Sequence, residues 1–84
     1  MKYNIETQPL AGHYVVAAKD RETGNTVQVF TLNESGIEML NLLEEGKSAE
    51  SIAQILSDKY GAPIDLVAAD VQNFVHNIEE KGLI

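Results

Sequence analysis

The spacing of the apolar residues changes at Leu32-Asn33-Glu34-Ser35-Gly36, and that change constrains the fold more than any other feature of the chain. Before it, apolar and polar residues alternate, as on a half-buried strand. After it, apolar residues recur every three or four positions, as on a helix. Asn33 suits a helix N-cap, because its side-chain oxygen can accept from the free N–H groups of a first turn. Glu34 follows where the positive end of the helix dipole favours an acid. Asn33-Glu34-Ser35 also spells the N-glycosylation sequon. Met1-Lys2-Tyr3-Asn4 does not read as the start of a signal peptide, so the cap is the preferred reading and the cytoplasm the expected location.

Three strands are expected before the hinge. Met1 to Glu6 places Met1, Tyr3 and Ile5 on one face. Pro9 and Gly12 then bracket a turn, and His13 to Ala18 forms a second strand rich in β-branched residues. Asp20 to Asn25 reads as a hairpin loop in which Gly24 and Asn25 can take positive φ. Thr26 to Leu32 alternates Val27-Val29-Thr31 with Thr26-Gln28-Phe30-Leu32. Tight connections favour an antiparallel meander. Three helices follow. The first, from about Glu34 to Glu44, carries a stripe of Ile37, Leu40 and Leu43 with Met39 on its flank. The second, from about Ala49 to Lys59 behind a Ser48 cap, carries Ile52, Ile55, Leu56 and Tyr60. The third, from Ile64 or Asp65 to about Glu80, carries Ile64, Val67, Val71, Phe74, Val75 and Ile78. Leu83-Ile84 is expected to fold back past Gly82 and close the core. No stripe buries its apolar face alone. The expected fold is therefore α+β and winged-helix-like: a three-stranded antiparallel sheet followed by a three-helix bundle, forming one domain over residues 1–84.

With 84 residues, a single modest core is feasible. The absence of cysteine removes disulfides and thiolate chemistry. No apolar run approaches the roughly 20 residues of a membrane-spanning helix, so no membrane partner is expected. The net charge of −7 falls wholly on residues 33–84. A duplex-binding surface needs clustered Lys and Arg, so nucleic acid is not an expected partner.

No catalytic site emerges. His13 and His76 lie in different elements, and neither has a partner at metal-ligand spacing. Glu79 and Glu80 share a helix face with His76, which favours an exposed ion pair over a metal site. The pairs Glu44-Glu45 and Glu79-Glu80 point about 100° apart on a helix and are poorly placed to share a proton. No metal, no cofactor and no catalysis are expected. What remains is a surface. The first and third strands are the sheet edges. The first carries Lys2, Glu6 and nearby Pro9, which guard an edge. Thr26 to Leu32 carries neither charge nor proline. Such an edge either accepts an extended peptide as an added strand or is covered by the chain's own helix or loop.

Several stretches, taken in order, resemble the PqqD family. They are Thr31-Leu32-Asn33-Glu34-Ser35-Gly36, Leu42-Leu43-Glu44-Glu45-Gly46-Lys47-Ser48, Ile52-Ala53 with Leu56 and Tyr60-Gly61, and Ala69-Asp70-Val71 with Phe74 and Ile78 to Ile84. Pro9 to Val16 is similar to the strand region of its stand-alone members. The resemblance implies a bacterial, non-catalytic RiPP recognition element, of the kind used in pyrroloquinoline quinone biosynthesis. Such a domain binds the leader of a ribosomally made precursor peptide by strand addition and presents it to a modifying enzyme such as a radical S-adenosylmethionine protein. It implies peptide contacts on Thr26, Val27, Gln28, Val29, Phe30 and Thr31. On the third helix it implies contacts drawn from Val67, Asp70, Val71, Phe74 and Asn77. For an acidic leader, Lys19 and Arg21 are the nearest basic side chains. The alternatives are a small protein–protein adaptor or a homodimer formed through the same edge, and then a DNA-binding winged helix, against which the charge argues.

Overall fold

The computed structural model describes residues 1–84. Three strands, β1 (Asn4–Leu10), β2 (His13–Lys19) and β3 (Thr26–Leu32), precede three helices, α1 (Glu34–Glu44), α2 (Ala49–Tyr60) and α3 (Ile64–Glu80). The strands form one antiparallel sheet in the order β1-β2-β3, which leaves β1 and β3 as its edges. The expected α+β architecture, strands first and helices after, is the one observed.

The hinge acts as the sequence requires. The Asn33 Oδ1 accepts the Gly36 N–H at 2.8 Å, and the Ser35 hydroxyl donates to the same oxygen at 3.1 Å. A Cβ on Gly36 would sit 3.1 Å from that oxygen and 3.2 Å from the Leu32 Cβ. Glycine therefore lets the chain pass from β3 into α1 without a gap. Ser48 caps α2 through the Ser51 N–H at 3.1 Å.

The first strand departs from expectation. It runs from Asn4 to Leu10 rather than ending near Glu6, and Pro9 lies inside it, opposite Tyr14. The reversal is a two-residue turn, Ala11-Gly12, with φ of 48° and 85°. Positive φ at both positions is the twist that matches a two-residue hairpin. The Leu10–His13 pair closes that hairpin, so the ladder's alternation turns the backbone of Pro9 toward the open edge. A missing N–H there costs no sheet bond, which is why proline is tolerated. In the second hairpin only Gly24 has positive φ; Asn25 does not. The Asp20 carboxylate accepts the N–H groups of Glu22 and Thr23, both at 2.9 Å. Those bonds hold its pKa below the ordinary value.

Two apolar clusters form the interior. Val16, Ala18, Ile37, Leu40, Ile78 and Leu83 join the sheet to the helices, with Met1, Tyr3 and Ile5 packed against them. Met39, Ile52, Ala53, Leu56 and Val71 join the helices to one another. Met39 is therefore core rather than flank. Leu83 folds back as expected, and its carbonyl accepts the Lys2 N–H at 3.0 Å. Ile55, Tyr60 and Ile64, expected in the buried stripes, are exposed. The buried face of α2 centres on Ile52, Ala53 and Leu56, and Ile55 lies at its edge. The Tyr60 hydroxyl donates instead to Glu38 on α1, beside a 3.0 Å Lys59–Glu38 ion pair. No helix is long and apolar enough to cross a membrane.

Candidate functional site

The edge of β3 is open. Alternation set by the Leu10–His13 hairpin points the backbone of His13, Val15, Ala17 and Lys19 toward β1, and that of Tyr14, Val16 and Ala18 toward β3. Phe30 and Leu32, paired with Val16 and Tyr14, therefore spend their N–H and C=O groups on β2. Val29 and Thr31, paired with Ala17 and Val15, turn theirs outward. No backbone bond from elsewhere in the chain reaches them. Val29 is 63% exposed, and neither charge nor proline guards this strand.

Beside that edge lies a groove of about 470 Å³. One wall is Phe30, Thr31 and Leu32. The other is Phe74, Asn77 and Ile78 of α3, with Glu80 and Lys81 at its end. No Cα of α3 comes within 8 Å of β3, so the two elements stand apart and the space between them opens onto the strand edge. They are bridged past the end of the helix. The Gln28 side-chain amide donates to the Lys81 carbonyl at 2.5 Å, and the Lys81 Nζ sits 4.6 Å from the centre of the Phe30 ring.

Of the residues singled out from sequence, Phe30, Thr31, Phe74 and Asn77 line this groove, and Gln28 bridges its end. Thr26, Val27 and Val29 lie along the strand with exposed side chains, those of Val27 and Val29 being apolar. Val71 is fully buried and Val67 packs beside it in the interhelical cluster, so both support α3 from behind. Asp70 is exposed and outside the groove. Lys19 and Arg21 are already engaged. Lys19 pairs with Glu6 at 2.8 Å, and the Arg21 guanidinium donates to the Met1 carbonyl at 2.8 Å. The groove residues not singled out were Leu32, Ile78, Glu80 and Lys81. Helical spacing offered the signal: Asn77, Ile78 and Lys81 fall three, four and seven positions after Phe74, on one face.

The arrangement offers main-chain donors and acceptors along a strand edge, with a trough of mixed apolar and polar lining beside them. That is the geometry of strand addition with side-chain pockets. The protein is similar in structure to the chain in the solved structure of TbiB1 in complex with the TbiA(beta) leader peptide. The TM-score is 0.71 and the identity 26%, over 99% of this chain and 93% of that one. No curated protein matches the sequence. The family model for Coenzyme PQQ synthesis protein D (PqqD) matches residues 10–84, and the chain belongs to that family.

Proposed function

We propose that this protein is a RiPP recognition element over its whole length: a binding partner, not a catalyst, that takes the leader of a ribosomally made precursor peptide as a fourth strand on β3. It then presents the peptide to a modifying enzyme, for which a radical S-adenosylmethionine protein is the candidate class. The observation that carries the reading is the open β3 edge beside a groove of mixed apolar and polar lining, on a fold similar to that of TbiB1, which was solved with a leader peptide. The outward N–H and C=O groups of Val29 and Thr31 would bond the peptide backbone. Phe30, Leu32, Phe74 and Ile78 would take its alternate side chains, and Asn77 would offer a polar contact. Thr26 to Gln28 would extend the pairing, Val67 and Val71 would act only by supporting α3, and Asp70, exposed outside the groove, is given no contact.

The test is an NMR titration of the 15N-labelled protein with synthetic leaders of precursor peptides encoded beside its gene. The expected result is shift changes over residues 26–32 and at Phe74, Asn77, Ile78 and Lys81. Shift changes confined to another surface, or none with any such leader, would overturn the reading. Sedimentation of the free protein as a dimer, with β3 protected from exchange, would favour self-pairing through the same edge.

A further inference from the structure

We infer that Lys81 reads an acidic side chain of the bound peptide and so sets the register of the added strand; this rests on the peptide-binding reading above. Main-chain bonds and a trough of mixed lining leave register weakly specified, because a strand can slip by two residues and present the same face. A single charge in the groove removes that degeneracy.

Lys81 is the one cation in the groove wall. The molecule's lysine ion pairs join Lys19 to Glu6 and Lys59 to Glu38, and Lys81 takes part in neither. Its ammonium rests on the face of Phe30, a contact that is non-directional and leaves its N–H groups free to donate to a carboxylate. The other charged residue of the wall, Glu80, has its carboxylate 2.8 Å from the His76 Nε2. The backbone of Lys81 is fixed by the bond from Gln28, so the root of the side chain is held still.

The register follows from the ladder. Val29 and Thr31 present the outward backbone groups, so an antiparallel strand added there meets Phe30 in a non-hydrogen-bonded pair. In such a pair the side chains lie closest, with Cα atoms about 4.5 Å apart. A Glu or Asp directly opposite Phe30 is the one best placed for the Lys81 Nζ, which sits 4.6 Å from the centre of that ring; a slip by two residues moves the acid to the more distant diagonal position. Within the groove wall Lys81 is the only cation, so a carboxylate of the bound strand gains most beside it.

The experiment selects binders from a displayed library of random linear peptides. Those whose binding is lost in Val29→Pro are kept as edge binders and assayed by fluorescence anisotropy. The expected result is Asp or Glu enriched at one position. Affinity should fall about fivefold in Lys81→Glu and Lys81→Gln, the upper range for a pair open to solvent. Lys81→Arg should retain it, and Lys47→Glu, the same charge change on the α1–α2 turn, should leave it unchanged. Replacing the peptide's acid by its amide should cost nothing further in Lys81→Gln. Edge binders with no acidic position, or an affinity indifferent to Lys81→Glu, overturn the role of Lys81 and leave peptide binding standing. If no Val29→Pro-sensitive binder emerges, the peptide reading falls and the inference with it.

Discussion

Gln28 donates its side-chain amide to the main-chain carbonyl of Lys81, 53 positions further along the chain. This bond ties β3 to the residue that ends α3, across a gap where the strand and helix backbones do not approach. It keeps the groove at a fixed width while leaving the rest of the strand edge free. Gln28→Ala should therefore lower stability by about 0.5–1 kcal/mol, the net worth of one hydrogen bond. It should also speed exchange of the amides around Lys81 while those of β2 stay protected. Urea titration and hydrogen exchange check both. Uniformly faster exchange across the sheet would count against a local latch.

Val29 turns its N–H away from β2, so a proline there removes no existing sheet bond. Val29→Pro should keep the circular dichroism spectrum of the native protein and lose at least tenfold in leader affinity, as expected for a lost hydrogen bond plus steric exclusion. Val29→Thr should bind as the native protein does. Calorimetry on both variants is the check, and an unaltered affinity in a folded Val29→Pro protein would rule out pairing at this edge.

Glu38 accepts from the Tyr60 hydroxyl and the Lys59 ammonium, which together hold its pKa below the ordinary value of 4.5. A carboxylate with a lowered folded pKa contributes stability that is present above its unfolded pKa and lost as pH falls through the folded one. Glu38→Gln should thus melt below the native protein at neutral pH. The gap should close as pH drops below about 4.5, once Glu38 is protonated. Thermal melts across that range test it; a gap that stays constant would mean the α1–α2 link is not carried by the charge of Glu38.

Ala11 holds φ at 48° in the two-residue turn between β1 and β2, where a Cβ is disfavoured and asparagine is better suited. Ala11→Asn should raise stability by about 0.5–1 kcal/mol, part of the left-handed penalty. Leader affinity should not change, since the turn joins β1 to β2 and takes no part in the groove or the open edge. Denaturant midpoints and the same calorimetry provide the readouts.

The sequence by itself determined the order of elements, because side-chain periodicity reports directly on which backbone geometry can bury one face. The change from period two to period 3.6 at Asn33 marked the end of β3 and the start of α1. The alternation of Thr26 to Leu32, without charge or proline, marked the unguarded edge. The motifs around Gly36, Gly46 and Phe74 pointed to the family, and through that resemblance to β3 and one face of α3 without separating groove residues from buried ones. Tertiary structure decided what periodicity cannot express. Pro9 falls inside a strand because the register set by Ala11-Gly12 turns its missing N–H outward. Ile55 lies at the edge of the buried face of α2, which centres on Ile52, Ala53 and Leu56, and Ile64 is exposed at the first position of α3. Lys81 enters the groove, and Lys19 and Arg21 do not, because the partners that hold or free these side chains lie far away in the chain. A cation's availability depends on those distant partners, and only the folded chain brings them together.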